Sequence, residues 1–310
     1  MRIATIDIGT NTILLLVCEV TESGLVPVEE HATITRLGEG VDKTRALAPQ
    51  AIERALQCIG AYKAIIDRLG ATRIAVVGTS AMRDAEGGEA FQRAIENRLG
   101  AKPRVISGEE EARLTFKGAV SGLPIEEGRP VAVFDIGGGS TEIVSGTRSP
   151  FSLAYAHSAN IGSVRLTERH VTTDPPSPQN LLAIAADAKT ALDSIPPLEL
   201  DPTSPLIGIA GTVTTYAAVA LGLQTYDANR VHGRVMRRAT LETEVLRLAS
   251  LRLENRRQVH GLEPKRADVI VAGGLIALAL LDRLQKTSFI VSDRGVRWGL
   301  AEELAELHRT

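Results

Sequence analysis

Residues 130–144 read PVAVFDIGGGSTEIV, and they decide the fold when they are set beside residues 1–17, MRIATIDIGTNTILLLV. Each stretch is an apolar, β-rich run that ends in Asp-Ile-Gly, passes through a turn of small residues and enters a second β-rich run. Glycines let backbone N–H groups approach phosphate oxygens, and an aspartate can hold a divalent cation or its water shell. Two such turns predict a duplicated domain with a phosphoryl-handling cleft between the halves.

The bulk properties bound the function. With 310 residues the chain is long enough for two domains, and 44% hydrophobic and 23% charged residues with a net charge of −2 are typical of a soluble globular protein. This near-neutral balance argues against a general nucleic-acid-binding protein. Cys18 and Cys58 lack the spacing of a metal knuckle or a disulfide framework. Because no signal segment or bilayer-length apolar run is found, we expect a cytoplasmic protein with no membrane partner.

The predicted order of elements repeats along the chain. In the first half three β-like runs precede a long helix over residues 49–69, and short strands then alternate with helices. This βββαβαβ order is that of a ribonuclease-H-like domain, and the second half restarts it. Residues 121–129, rich in Gly, Pro and charge, mark the junction. The sequence therefore predicts an α/β protein with domains at 1–122 and 123–310, in which a last helix, 299–310, is a candidate to pack back on the first domain.

The two turns differ in how strongly they indicate function. The first, which begins at Asp7, has residue types that also form a tight hairpin with Asx-type hydrogen bonds, so it does not by itself separate structure from function. The second follows Asp135 and has three consecutive glycines, more than a structural hairpin needs, which favours a phosphate nest. The candidate phosphate-binding residues of the two turns are Gly9, Thr10, Asn11, Thr12, Gly137, Gly138, Gly139, Ser140 and Thr141.

Three further segments allow a functional and a structural interpretation. Residues 208–215, GIAGTVTT, follow a strand and open an Ala-rich helix, so Gly211 and Thr212 are candidates for an anion site at a helix N-terminus. A glycine that permits close packing of helix on strand is the alternative. Arg83 and Arg36 are placed where a guanidinium could bind phosphate through two hydrogen bonds. The alternative role is a surface salt bridge, which Arg83 would form with Asp84. For His232, in the basic loop RVHGR, the alternatives are contact with the substrate and exposure to solvent in a loop without a binding role.

Residues 107–116, SGEEEARLTF, place three glutamates at the start of a predicted helix. Acidic residues in a first turn complement the helix dipole, and this role suffices for Glu109 and Glu110. Glu111 lies on a helix that leaves the first domain towards the junction, where a carboxylate could orient a water for attack on a terminal phosphorus. Spacing alone does not single it out.

At these residues the chain resembles the exopolyphosphatase/guanosine pentaphosphate phosphohydrolase (Ppx/GppA) family, which belongs to the actin, sugar-kinase and heat-shock-chaperone superfamily. The Asp-Gly turns are shared across that superfamily, whereas SGEEEARL and DIGGGSTE together are much more specific. The resemblance runs almost end to end, and the motifs in family order are DIGTNT, GTSAMRDA, SGEEEARLTF, DIGGGSTEIV, IGSVRLTE, GIAGTVTT, RVHG, VAGG and SDRGVRWGL.

The resemblance implies roles for individual residues. Glu111 would activate the attacking water, Arg83 would clamp the phosphate chain, and the two turns would hold its terminal phosphates. Asp293 with Arg297 would support the second domain's side of the cleft, with Arg297 as a phosphate ligand. Mg²⁺ or Mn²⁺ is the expected cofactor, with stimulation by K⁺, and a homodimer is expected. The implied metal ligands are Asp7, Asp135 and Glu142.

Two departures from the family bear on the substrate. The chain ends at Thr310 without the C-terminal helical domains of larger members, which puts long-chain grip and processivity in question, and Thr214 stands where some members carry a lysine. The expected activity is release of orthophosphate from inorganic polyphosphate, with pppGpp as the alternative substrate. A non-catalytic sensor of polyphosphate or an alarmone and an ATP-dependent kinase of the same superfamily are the rivals from other classes.

Overall fold

The computed structural model divides the chain into two compact units, one comprising Met1–Ser121 with Val296–Thr310 and the other Gly122–Gly295. The last helix therefore belongs to the first unit, and the second ends at Gly295. Each unit contains one β-sheet with helices, so the predicted α/β class is confirmed. The structure describes residues 1–22, 24–39, 41–86, 88–198 and 200–309.

The elements are numbered here in chain order. The strands are β1 (Arg2–Ile8), β2 (Thr12–Thr21), β3 (Gly24–Ile34), β4 (Arg73–Gly78), β5 (Arg104–Val105), β6 (Pro130–Ile136), β7 (Thr141–Thr147), β8 (Ser152–Ala159), β9 (Leu206–Ile209), β10 (Val235–Arg237) and β11 (Ser288–Val291). The helices are α1 (Val41–Thr44), α2 (Pro49–Leu69), α3 (Ser80–Asp84), α4 (Gly88–Leu99), α5 (Gly108–Val120), α6 (Ser163–His170), α7 (Pro178–Asp193), α8 (Ala210–Ala220), α9 (Ala228–Val231), α10 (Arg238–Ser250), α11 (Leu253–Arg256), α12 (Ile270–Arg283) and α13 (Val296–Arg309). A 3₁₀ turn covers Pro264–Arg266.

The sheet of the first unit has the strand order β3-β2-β1-β4-β5. Strand β1 is antiparallel to β2 and parallel to β4, which is the arrangement of a ribonuclease-H-like domain. Because β1 lies in the middle of the sheet, all its residues after Arg2 are buried. The strand therefore delivers its last residues, Asp7 among them, to the centre of one sheet edge.

Both ends of helix α2 are determined by local sequence. Pro49 occupies the first helical turn, where its missing N–H is harmless, and Gly70 ends the helix in the left-handed conformation with φ of 65°. Between them Ala55, Ile59 and Ile66 are fully buried against the sheet. The helix predicted over residues 49–69 is confirmed at both ends.

Helix α13 is anchored to the first unit by apolar packing and one shared acceptor. Trp298 is buried against Ile3 and Leu16 and against the smaller residues Cys18, Ala301 and Ala305. Its Nε1 donates to Glu30 Oε2 at 3.2 Å, and Arg297 Nη2 donates to the same oxygen at 2.7 Å. A half-buried carboxylate with two such donors holds the helix in one position.

The sheet of the second unit has the strand order β10-β11-β9-β6-β7-β8. Read from β8, its first five strands repeat the order of the first sheet, with β6 antiparallel to β7 and parallel to β9, and β10 is an addition at the edge. The predicted duplication is thus confirmed. Phe134 and Phe289 meet edge to face at 5.1 Å in its core.

The second core also contains two unusually apolar helices, α8 and α12. Ile276, Ala277 and Leu280 of α12 are at most 1% exposed, so this apolar character reflects burial within the unit. Across the residues that the structure describes, we find no helix that combines the length and hydropathy needed to span a bilayer.

Candidate active site

The turns after β1 and β6 close with the same hydrogen bond. Gly9 donates its N–H to the Thr12 carbonyl at 3.1 Å, and Gly137 donates to the Ser140 carbonyl at 3.0 Å. A Cβ at Gly9 or Gly137 would lie 2.9 or 3.2 Å from that carbonyl oxygen, so a glycine fits each turn best. These two N–H groups serve the turn itself, which corrects the expectation that they bind phosphate.

Asp7 is buried at the end of β1, with 8% of its surface exposed. Among the described residues its Oδ1 has no hydrogen-bond partner. Burial, and after it the charge of Glu111, raise the pKa of Asp7 to about 7, although the Arg297 guanidinium acts in the opposite direction. An ionised carboxylate is unfavourable when it is buried without a partner. Binding of a proton or a cation at this oxygen would therefore stabilise Asp7.

Glu111 is fixed by the start of its helix and by one arginine. The Ser107 hydroxyl caps α5 by accepting the N–H of Glu110 at 3.1 Å. One turn in, Glu111 Oε2 accepts a hydrogen bond from Arg83 Nη1 at 3.2 Å, while the same Nη1 donates to the Ile106 carbonyl at 2.9 Å. The Glu111 side chain is 32% exposed, so water reaches the oriented carboxylate.

The geometry separates the three glutamates of the EEE motif. Glu110 forms an ion pair with Arg104 at 2.7 Å, which ties the helix to β5. Glu109 is exposed and, within the described part of the chain, makes no ion pair. Of the three glutamates, only Glu111 contributes to the raised pKa of Asp7. It is therefore the member of the motif with an environment suited to chemistry.

The two arginines expected to clamp phosphate differ in their settings. Arg83 directs a donor at Glu111, so in this structure it orients a carboxylate; the alternative partner, the side chain of Asp84, lies outside the described residues. Arg36 is exposed and adopts a left-handed conformation with φ of 50°. Its N–H donates to the Asn11 carbonyl at 2.9 Å, which places Arg36 against the first turn.

Helix α6 supports the second turn, and the sequence patterns did not predict this helix. Its first three residues donate their N–H groups to the carbonyls of Gly137 and Gly138 at 2.9–3.0 Å. Arg165 Nε donates to the Gly139 carbonyl at 2.8 Å. The carbonyls are thereby fixed, whereas the N–H groups of Gly138 and Gly139 donate to no acceptor among the described residues. This leaves them for an anion, and the motif IGSVRLTE was the available signal.

Gly162 allows α6 to approach this turn. A Cβ on Gly162 would lie 2.3 Å from the Gly138 carbonyl oxygen and 2.5 Å from the Gly139 nitrogen. Its φ of −154° suits alanine, so Gly162→Ala should fold but displace the turn. We expect kcat/KM for orthophosphate release to fall about 100-fold, the effect of a misplacement near 1 Å. Gly60→Ala, with open space around its Cβ, is the control, and an unchanged kcat/KM for Gly162→Ala would contradict the assignment.

Two predicted residues of β7 contact protein groups. The Thr141 hydroxyl is fully buried and donates to the Ile161 carbonyl at 2.8 Å, so it stabilises the turn and is not a phosphate ligand as predicted. Glu142 is the cross-strand partner of Asp135 and accepts a hydrogen bond from Ser158 Oγ at 2.9 Å. The two carboxylate residues are therefore neighbours, as the resemblance implies.

A cation that the sequence patterns did not reveal lies beside the start of α8, just after β9. Thr212 is buried, and its hydroxyl lies 3.4 Å from the Ile136 carbonyl, so its side chain belongs to the core and not to an anion site. Beside Gly211 lies the guanidinium of Arg266, so close that a Cβ would come within 2.0 Å of Nη1. The Thr214 hydroxyl bonds to the backbone of its own helix. Arg266 is distant in sequence, so no local pattern pointed to it.

Asp293 and Arg297, expected to act together, belong to different units. Asp293 follows β11 in the second unit, where Oδ1 accepts the Tyr226 hydroxyl at 2.7 Å and the backbone N–H donates to His232 Nδ1 at 3.3 Å. Arg297 lies in the first unit, buried and paired with Glu30 at 2.7 Å. The prediction that Arg297 supports the second domain is wrong, because α13 packs on the first sheet.

Comparison with known proteins agrees with this arrangement. The model of the Ppx/GppA phosphatase family matches residues 16–308. The chain belongs to this family. Exopolyphosphatase 2 of Mycobacterium tuberculosis is 37% identical over 98% of both chains. The guanosine-5'-triphosphate,3'-diphosphate pyrophosphatase of Vibrio atlanticus is 29% identical over 99% of this chain and 60% of its own length. The crystal structure of the Aquifex aeolicus Ppx/GppA family member has a TM-score of 0.85 and 31% identity, covering 100% of this chain and 99% of that one.

The donor set of this Ppx/GppA phosphatase fits one mode of magnesium binding. Among the described residues, no three or more His, Cys, Asp or Glu side chains are grouped so that they could enclose a metal. Mg²⁺ does not require such a cage, because it keeps several waters and is bound through one or two carboxylates plus substrate phosphates. The buried Oδ1 of Asp7, which has no hydrogen-bond partner among the described residues, is an oxygen donor of this kind. Asp135 holds the equivalent position of the repeat.

Proposed function

We propose that this Ppx/GppA phosphatase is an exopolyphosphatase, which hydrolyses the terminal phosphoanhydride bond of inorganic polyphosphate. The observation that carries the proposal is the Glu111 carboxylate, which Arg83 holds at 3.2 Å within the same unit as the buried Asp7. The relative named Exopolyphosphatase 2, which is matched over nearly its whole length, supports polyphosphate as the substrate.

The reaction transfers a phosphoryl group to water. The water oxygen bonds to the terminal phosphorus while the bond from that phosphorus to the bridging oxygen breaks. The products are orthophosphate and a chain shorter by one phosphate, whose new terminal oxygen retains the electron pair of the broken bond. Glu111 accepts the proton that the water loses, and the hydrogen bond from Arg83 fixes the direction of the accepting carboxylate.

The remaining groups neutralise phosphate charge. Mg²⁺, or Mn²⁺ in its place, supplies positive charge to phosphate oxygens when it is bound, and the buried Oδ1 of Asp7 is the donor that would hold it. Ionisation of Asp7 becomes favourable with a cation at Oδ1, since burial otherwise opposes it. The N–H groups of Gly138 and Gly139 would bind phosphate oxygens in a turn that α6 has already ordered, which avoids reorganisation during the reaction.

Guanosine pentaphosphate is the second candidate substrate. Its 5′ end carries the same terminal phosphoanhydride, and the groups described above contact phosphate without regard to what lies further along the molecule. The relative from Vibrio atlanticus, named for guanosine-5'-triphosphate,3'-diphosphate, favours this alternative.

The test is orthophosphate release by the purified protein with Mg²⁺, with polyphosphate and pppGpp run side by side at equal terminal-phosphate concentration. We expect release from polyphosphate at least about tenfold faster in kcat/KM, a difference of about 1.4 kcal/mol in transition-state binding. Release from pppGpp alone would assign the alarmone reaction. Binding of either compound without release would make the protein a sensor, and transfer of phosphate from ATP to a small acceptor would make it a kinase.

A further inference from the structure

The first turn, which follows β1, is held by the segment that follows β3. We call this segment, residues 35–39, the support loop. Its first two residues donate their N–H groups to the Asn11 carbonyl at 3.0 and 2.9 Å, and Gly38 donates to the Thr10 carbonyl at 2.8 Å. Leu37 is fully buried in the core of the first unit. The support loop is thus bonded to both carbonyls at the tip of the turn and anchored in the core.

These bonds determine the direction of a donor in the turn. The Thr10 carbonyl and the Asn11 N–H belong to one planar trans peptide group, in which the two bonds point in opposite directions. The bond from Gly38 to that carbonyl therefore directs the Asn11 N–H away from the support loop. Within the described ranges this N–H donates to no acceptor, so it is oriented and remains available for an anion.

The second turn has the same kind of support from a different element. There the N–H groups that begin α6 donate to the Gly137 and Gly138 carbonyls, and Arg165 Nε donates to the Gly139 carbonyl at 2.8 Å. A helix is ordered by its own backbone hydrogen bonds. The support loop lies outside the helices and strands of the first unit, so it needs a further partner to fix its shape.

Arg54 of α2 is that partner. Its Nε donates to the Thr35 carbonyl at 2.9 Å, and its Nη2 donates to Glu39 Oε2 at 2.8 Å and lies 3.4 Å from the Arg36 carbonyl. One guanidinium therefore joins the beginning and the end of the support loop. Its planar fork of N–H donors suits several acceptors at once, whereas a lysine ammonium acts as a point charge.

Arg36 shows that the support loop does not hold its shape unaided. Its φ of 50° is in the left-handed region, which is unfavourable for a residue with a Cβ. Such a conformation persists where the surrounding structure imposes it. The Arg36 N–H is bonded to the first turn, and its carbonyl lies beside Arg54 Nη2, so the residue is held on both sides. Without Arg54, we expect Arg36 to relax and its bond to Asn11 to weaken.

We propose that Arg54 is a positioning residue for phosphate binding, which acts through the support loop on the first turn. Arg54 fixes the loop, the loop fixes the Thr10 and Asn11 carbonyls, and the Asn11 N–H is thereby directed at a phosphate oxygen. The inference rests on the proposed function and deepens it, because it assigns part of the affinity for polyphosphate to a side chain whose described contacts are all with protein. Donors that are already ordered bind more tightly, since no ordering is needed on binding.

The test measures polyphosphate binding by calorimetry in the Glu111→Gln background, so that turnover does not consume the ligand. Arg54→Gln should raise the Kd about tenfold. Arg54→Lys keeps the charge and loses the planar fork, so its Kd should stay within about twofold of the Arg54→Gln value. Arg68→Gln is the matched control and should leave the Kd unchanged, because Arg68 also lies on α2 but pairs with Glu29 of β3 at 2.8 Å.

Two further measurements separate positioning from direct contact with the ligand. Amide hydrogen exchange over residues 35–39, measured without polyphosphate, should be at least about tenfold faster in Arg54→Gln than in Arg68→Gln. The slope of log Kd against log salt should be the same for both variants, because an arginine that binds no phosphate releases no counterion from the ligand. A direct phosphate contact by Arg54 would instead reduce that slope by about 1.

The outcomes distinguish this inference from the proposed function. It is overturned if Arg54→Gln matches Arg68→Gln in Kd or in amide exchange, if Arg54→Lys recovers the Kd of the Glu111→Gln background, or if the protein does not bind polyphosphate. A salt slope reduced by about 1 would make Arg54 a phosphate ligand and overturn it as well. If Arg54→Gln weakens binding as expected but the otherwise unmodified protein releases no orthophosphate, the positioning role stands and the proposed activity is wrong.

Discussion

Glu111→Gln should lower kcat for orthophosphate release about 1,000-fold, within the range that a positioned general base contributes. Glutamine has the same length as glutamate, and its amide oxygen can still accept the hydrogen bond that Arg83 Nη1 now donates to Oε2 at 3.2 Å. The side chain therefore stays in place and loses only the ability to take a proton from water. KM should change less than about threefold, because the groups that hold phosphate are untouched.

Glu109→Gln is the matched control for this experiment. It removes the same charge from the same turn of α5, at an exposed residue without an ion pair among the described residues, so kcat should remain within about twofold of the parent. Polyphosphate should bind Glu111→Gln at least as tightly as the parent, since one negative charge is gone. Near-normal turnover by Glu111→Gln would exclude this residue as the base, and lost binding would assign it to substrate holding.

Much of the fold could be predicted from sequence because its determinants are local. Pro49 and Gly70 bound α2 by their backbone preferences alone, and the two Asp-Ile-Gly runs mark the hairpins that open each sheet. That repeat also underlies the prediction of two ribonuclease-H-like domains. Arg297 was assigned to the wrong unit because its position depends on α13 packing beside Glu30, a contact between residues far apart in the chain.

The candidate site was predictable in its motifs and not in its tertiary contacts. SGEEEARL identified the helix that carries Glu111, but only the fold shows that this glutamate, and not Glu109, acts on Asp7. Gly211 was likewise a candidate from the sequence, but the reason for a glycine there appears only in the structure. The Arg266 guanidinium lies so close that a Cβ would collide with it. Threonine hydroxyls can bind phosphate, but the Thr141 side chain is fully buried and cannot reach a ligand.

Asp7→Asn should make the protein more stable in the absence of divalent cations, by a large amount at pH 8 and by a much smaller amount at pH 5. The pKa of Asp7 is about 7 in the folded protein against an ordinary value of 3.8. Below about pH 4 both the folded and unfolded forms hold the proton. Between about pH 4 and 7 only the folded form keeps it, so the free energy of unfolding falls as pH rises, by about 4 kcal/mol in all. Above pH 7 the carboxylate is ionised in both forms and the loss persists.

The measurement is thermal unfolding with a chelator present, from pH 5 to 8, for the parent and Asp7→Asn. The asparagine variant should unfold about 10 °C higher than the parent at pH 8, given about 2–4 °C per kcal/mol for a domain of this size. Adding Mg²⁺ at pH 8 should restore the parent by about 3 kcal/mol at 100 times its dissociation constant and leave the variant unmoved. Glu111→Gln should shift the parent's stability loss to lower pH, because the Glu111 charge contributes to the raised pKa of Asp7. Identical pH profiles for parent and Asp7→Asn would mean that Asp7 is already ionised and neutralised without a cation, and the magnesium assignment would fail with it.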